Sequence, residues 1–173
     1  MRWVDRLIFC AWLVSATPAW CAEAAHFGQP ITSADIAPWD ISIGPYGAGL
    51  PPGSGTAAQG ETVFAAKCQG CHGAKGAGGP NDTLVGGAGT LAGDKPLKTV
   101  GSYWPYATTL FDYVRRAMPW DHPKSLTNDE VYAVSAYILN LNGVIGPDDV
   151  IDAQSLPKLK MPNRDGFVPF PRP

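Results

Sequence analysis

Apolar side chains recur at helical spacing in three stretches, and each stretch carries its own start or stop signal. The first opens on Thr56-Ala57-Ala58-Gln59. This is a capping box, in which a hydroxyl and a side-chain amide three residues apart satisfy each other's backbone N–H. Val63, Phe64 and Lys67 follow at helical spacing, and Gly60 leaves room for a neighbouring helix to come close. The stop is expected between Cys68 and Gly73. The second stretch runs from Thr108 or Thr109 to Ala117, with Leu110, Phe111, Tyr113, Val114 and Ala117 as its apolar positions. Met118-Pro119 ends it, because proline lacks the N–H that would continue the helix and disfavours helical backbone before it. The third stretch opens on Thr127-Asn128-Asp129-Glu130, a capping box with two acids where the helix dipole favours them. Val131, Val134, Ile138 and Leu141 form its stripe, Tyr137 lies alongside, and Gly143 is the expected stop. No segment alternates convincingly as a strand would, and no solenoid-length repeat is present. The pattern predicts an all-α protein.

Between and outside these helices the chain is rich in turn formers. It holds 20 Gly and 17 Pro among its 173 residues, which points to long ordered loops. Seven glycines fall between Gly73 and Gly89. Such a loop packs no core of its own, but it can follow a flat molecular face. Residues 144–173 hold Pro147, Pro157, Pro162, Pro169, Pro171 and Pro173 together with Leu156, Leu159, Met161, Phe167, Val168 and Phe170. A disordered tail does not normally keep that many apolar groups. It reads as an extended strap over the core or onto a partner, and residues 25–54 read the same way. Because all three helices lie before Gly143, a chain cut there is expected to stay folded.

The first residues stand apart. Arg2 and Arg6 precede a short apolar run over residues 7–16, too short for the ~20 residues of a membrane-spanning helix. Ala22-Glu23-Ala24 then places small residues where a signal peptidase reads them. Residues 1–24 are therefore expected to be a cleaved secretory signal, the rival being an uncleaved anchor. The mature chain is expected in the periplasm with no membrane span.

Removal of the signal takes Cys10 and Cys21 with it and leaves Cys68 and Cys71. With Gln69-Gly70 between them and His72 after them, they form C-x-x-C-H, the attachment signature for c-type haem. Two thiols at this spacing reach the two vinyl groups of one porphyrin, and the next imidazole lands beneath the iron. A zinc site needs a second ligand pair, and His26 and His122 do not make one. A redox C-x-x-C normally sits at a helix start in a βαβ setting, whereas this one follows a helix. One motif predicts one haem.

The second axial ligand separates an electron carrier from an open-iron enzyme or sensor. Met118, at the end of a helix and fixed by Pro119, is the leading candidate. Met161 lies beyond the last helix and reads as a packing residue, and His122 is a third candidate. Trp104 and Arg115 are candidate contacts to the haem propionates, and Tyr103, Arg116, Lys95 and Lys98 are further groups that can face propionates or a partner.

Gly60, Phe64, C-x-x-C-H at 68–72, Met118-Pro119 and the helix beginning Leu126-Thr127 make residues 55–143 resemble the class I c-type cytochromes. The resemblance implies three main helices around one covalently attached haem c, thioethers at Cys68 and Cys71, and iron ligation by His72 and Met118. It also implies that the first and last helices cross near Gly60, Phe64 and Tyr137. Ser102-Tyr103-Trp104-Pro105-Tyr106 through Tyr113 and Arg115 to Pro119 resemble, more narrowly, the cytochrome subunits of bacterial sulfite and sulfane dehydrogenases. So do Pro38-Trp39-Asp40-Ile41, Gly49 to Gly55, and Leu156-Pro157 to Phe167. That resemblance implies a molybdenum-cofactor partner that oxidises a sulfur substrate and passes electrons singly to the haem. In that family a proline commonly stands before the leucine of the loop after the haem motif, and its carbonyl receives the histidine N–H. Here Thr83 precedes Leu84 and the nearest proline is Pro80, so the acceptor is open among Pro80, Thr83 and another group.

Net charge is −2, which argues against nucleic acid as a partner. Residues 57–124 hold seven basic and five acidic side chains, and both flanks are net acidic. The leading expectation is an electron-transfer protein, not itself an enzyme. It would take electrons from the molybdoenzyme and pass them to a downstream cytochrome or oxidase. The alternatives are a peroxidase-like haem enzyme or sensor, and a general periplasmic cytochrome serving an oxidase.

Overall fold

In the computed structural model the described residues are 28–168. The signal reading of residues 1–24 and the last prolines lie outside them. Three long helices form the frame: α2 (Ala57–Lys67), α4 (Ala107–Ala117) and α5 (Asn128–Leu141). Two single turns accompany them, α1 (Ser33–Ile36) near the N-terminal end and α3 (Gln69–His72) directly after α2. Both expected capping boxes are made. Gln59 Oε1 accepts from the Thr56 N–H at 3.0 Å, and Glu130 Oε2 accepts from the Thr127 N–H at 2.9 Å. α4 begins at Ala107, one or two residues before the expected threonines, and α5 stops as expected before Gly143, whose φ of 69° suits only glycine without strain.

α5 is the central element. Every residue from Val131 to Leu139 is buried. α2 crosses it at Gly60, where a Cβ would run into the carbonyl oxygen of Ala133. One turn on, Phe64 packs on Tyr137 with ring centroids 5.3 Å apart. On another face, Phe111 of α4 meets Tyr132 at 4.4 Å. The crossing implied by the resemblance is thus present in detail.

Two features depart from the sequence pattern. Strands β1 (Ser54–Thr56) and β2 (Val150–Asp152) pair antiparallel, with Gly55 opposite Ile151. Three residues are too few for alternation to register as a period. The second feature is the C-terminal segment, which is part of the core. Ile151 is 1% exposed, and Leu156 and Met161 are fully buried. Each such side chain contributes about 1.5–3 kcal/mol relative to leaving it in water, so the segment after Gly143 holds the fold together from within.

The N-terminal segment runs the other way across the helices. Arg115 donates to the Ile41 carbonyl at 3.4 Å, Ile43 N–H donates to Asp112 at 3.0 Å, and Thr108 donates to the Pro45 carbonyl at 3.0 Å. It then reaches the start of α5, where the Tyr132 hydroxyl donates to the Pro51 carbonyl at 2.8 Å. Arg164 from the C-terminal segment lies over Tyr106 at 4.1 Å and over Tyr46 at 5.9 Å, so the two terminal segments meet at the start of α4. Among the described residues no helix is long and apolar enough to cross a membrane.

Candidate haem-binding site

The C-x-x-C-H motif occupies the break between α2 and α3. Cys68 closes α2 by donating to the Phe64 carbonyl at 2.9 Å, then changes direction with φ −125°. Cys71 and His72 both donate back to the Cys68 carbonyl, at 3.1 and 3.0 Å. This single turn sets the two thiols and the imidazole on one short stretch of rigid backbone. Both cysteines are free. Cys68 is half-buried and Cys71 is exposed. Burial pushes the Cys68 thiol up to about 11, aided slightly by Cys71 and opposed by Lys67.

His72 Nδ1 lies 2.8 Å from the carbonyl oxygen of Asp82. Asp82 therefore fills the role that the resemblance left open, rather than Pro80 or Thr83. With the proton on Nδ1 held there, Nε2 is the nitrogen left to ligate a metal. The glycine-rich loop makes this contact possible by folding tightly onto the motif. Asn81 N–H donates to the Cys71 carbonyl at 3.0 Å, and Leu84 N–H to the Gly76 carbonyl at 2.8 Å. Gly73 has φ 81°, and a Cβ there would meet the Ala77 carbonyl.

Two groups that the sequence reading did not single out hold the rest of the loop. Asn142, the cap of α5, donates to the Leu84 carbonyl at 3.2 Å and to the Ile138 carbonyl at 2.9 Å, while its oxygen accepts from Gly86 N–H at 3.1 Å. Thr99 and Ser102 form the second clasp. Thr99 donates to the Gly86 carbonyl and Ser102 to the Leu97 carbonyl, each at 2.6 Å. An asparagine immediately before a glycine at a helix end was the available signal for Asn142.

Met118 caps the end of α4, donating its N–H to the Val114 carbonyl at 3.1 Å. It is half-buried and packs against the main core cluster, as do Cys68, Leu84 and Trp104. Trp104 meets Tyr113 edge-on at 5.9 Å. Met161, by contrast, is fully enclosed in the core, which fits its reading as packing. His122 is on the outside, paired with Asp121 at 3.2 Å. Arg115 serves the N-terminal segment through Ile41, and Arg116 pairs with Asp112 at 2.6 Å. Lys98 lies over the Tyr103 ring at 5.1 Å.

The donor set fits a haem. Two thiols one helical turn apart, an imidazole held through Nδ1 with Nε2 free, a thioether and half-buried apolar side chains are the groups such a cofactor uses.

Comparison with known proteins agrees. A sequence model described as cytochrome c matches residues 57–142. A chain in the crystal structure of the sulfane dehydrogenase SoxCD from Paracoccus pantotrophus is 38% identical, with a TM-score of 0.80. The match covers 84% of this chain and 72% of that one. A comparison with curated proteins gives no match. The motif, the helix crossing and these likenesses place the chain in the cytochrome c family, as a class I c-type cytochrome whose cofactor is covalently bound haem c.

Proposed function

We propose that this cytochrome is the electron-accepting partner of a molybdenum-dependent sulfite or sulfane dehydrogenase. It takes electrons one at a time and passes them to a downstream cytochrome or oxidase of the respiratory chain. The observation that carries this reading is the 38% identity to a chain of a sulfane dehydrogenase over 84% of the sequence. Bound haem c supplies an iron that alternates between ferric and ferrous states by one electron.

The chain's own residues do the rest. Cys68 and Cys71 would hold the macrocycle through two thioether bonds. His72, whose ring orientation is fixed by the Asp82 carbonyl, and Met118 would ligate the iron. Trp104 and Arg115 would contact the propionates. With both iron ligands in place no position would be open to peroxide or gas, which favours electron transfer over the haem-enzyme alternative. Residues 1–24 act as a cleaved export signal, and the mature protein works in the periplasm, where thioether attachment and sulfur oxidation meet.

The test is purification of the cytochrome from its source with assay for bound molybdenum and for haem reduction on adding sulfite or a sulfane-sulfur substrate. Substrate-dependent reduction is expected. Haem that no molybdoenzyme fraction reduces in the presence of either substrate would refute the reading.

A further inference from the structure

We infer that the N-terminal arm, residues 31–39, together with Trp120 of the loop after Met118, forms the surface that docks the dehydrogenase subunit. The inference rests on the function proposed above and adds the location of the interface.

The arm is shaped but covers nothing. Its single turn α1 is closed by a capping box, in which Asp35 accepts from the Thr32 N–H at 2.8 Å and Thr32 accepts from the Asp35 N–H at 3.3 Å. None of its residues is buried. Yet Ile31 is 71% exposed, Ile36 44% and Trp39 77%. Immediately after it, the chain is fastened to α4 through Ile41 and Ile43. The arm is therefore held out from an anchored base with three large apolar side chains in water.

The end of the arm next to its anchor meets the loop after Met118. Lys124 Nζ lies 5.6 Å from the centre of the Trp39 ring. The loop that carries Lys124 also carries Trp120, which is 78% exposed. The arm thus offers one exposed tryptophan capped by a cation from the loop, and the same loop exposes a second tryptophan. Tryptophan is enriched among residues that dominate binding energy at interfaces. Trp120 also stands two positions beyond Met118 in the chain, so a partner seated here sits beside the segment that holds the proposed iron ligand.

Two observations say what covers this surface. The cytochrome c match is confined to residues 57–142, whereas the likeness to the sulfane dehydrogenase chain covers 84% of this one. The similarity therefore extends into the flanks, beyond what an electron-carrying domain needs. Moreover, one haem-attachment motif provides no site for oxidising a sulfur substrate, so a dehydrogenase that contains such a chain must place that chemistry on another chain. That chain is the occupant.

The experiment uses the full-length, haem-loaded protein and a molybdenum-containing sulfite or sulfane dehydrogenase purified from the same source. Trp39→Ser and Trp120→Ser are each expected to weaken binding by about tenfold or more, read by calorimetric titration. The substrate-driven reduction rate at low concentration should fall in parallel. The haem spectrum and melting temperature are expected to stay at wild-type values, and Val168→Ser, an exposed apolar change outside the patch, should bind normally. Failure of the wild-type haem to be reduced would remove the proposed function and this inference with it. Normal reduction with both tryptophan variants binding within twofold of wild type would overturn the docking site alone. A concentration-dependent dimer of the cytochrome that buries Trp39 and is abolished by Trp39→Ser would assign the surface to a second copy, and likewise overturn it.

Discussion

Replacement of Met161 by alanine separates a structural methionine from a metal ligand. The side chain is fully buried and belongs to the same cluster as Leu156, Ile151 and the stripe of α5. Truncating a buried methionine to alanine costs about 2–5 kcal/mol, from lost transfer energy and the cavity left behind. Each kcal/mol lowers the melting temperature of a domain this size by about 2–4 °C. Taking about 3 kcal/mol as central, Met161→Ala should melt roughly 6–12 °C lower. Thermal unfolding of the haem-loaded protein, followed by circular dichroism, measures this. The far-red sulfur-to-iron charge-transfer band should survive unchanged below the transition. A melting temperature within about 2 °C of wild type would refute the claim that the C-terminal segment is core. Loss of the band would refute the assignment of Met118 and bring the tail into the iron site.

The remaining predictions are quickly stated. Met118→Ala should abolish that band and lower the reduction potential, because a thioether favours ferrous iron; both are read on the purified protein. Cys68→Ala or Cys71→Ala should weaken covalent haem retention after export, and haem staining of denaturing gels shows whether it does. A chain cut after Gly143 loses Ile145, Ile151, Leu156 and Met161, all buried. At about 1.5–3 kcal/mol each, that loss rivals the whole stability of a domain, so the cut chain should lack a cooperative unfolding transition. The Lys67 ammonium and the Thr127 N–H hold the Glu130 carboxyl below its ordinary value. Its contribution is therefore complete above the unfolded carboxyl's range and lost as pH falls through the lower folded value. Glu130→Gln should accordingly flatten the acid limb of stability between those two points by a small, salt-sensitive amount.

The chemistry of this protein was legible in its sequence because covalent attachment imposes a fixed spacing on Cys68, Cys71 and His72. The long helices were legible for a related reason. Capping boxes at Thr56 and Thr127 are local, and the proline after Met118 acts on its immediate neighbours. What was hidden depends on contacts between distant residues. Asp82 is the acceptor for His72 only because the glycine-rich loop folds back, and any residue can offer a carbonyl. Asn142 looks like an ordinary helix cap until Leu84 and Gly86 arrive beside it. The C-terminal segment showed its apolar content, but composition does not say which surface receives it. A cut at Gly143 looked harmless because the three helices and both candidate ligands precede it. The structure places Ile151, Leu156 and Met161 inside the core that those helices share.

The pairing of Ser54 with Asp152 also sets a condition on assembly. Ser54 stands just before the helix that leads into the cysteine motif, and Asp152 stands in the segment that follows the last helix. The sheet therefore closes only when both flanks of the helical domain are present. Completion of the haem-bearing core is in this way coupled to the C-terminal segment.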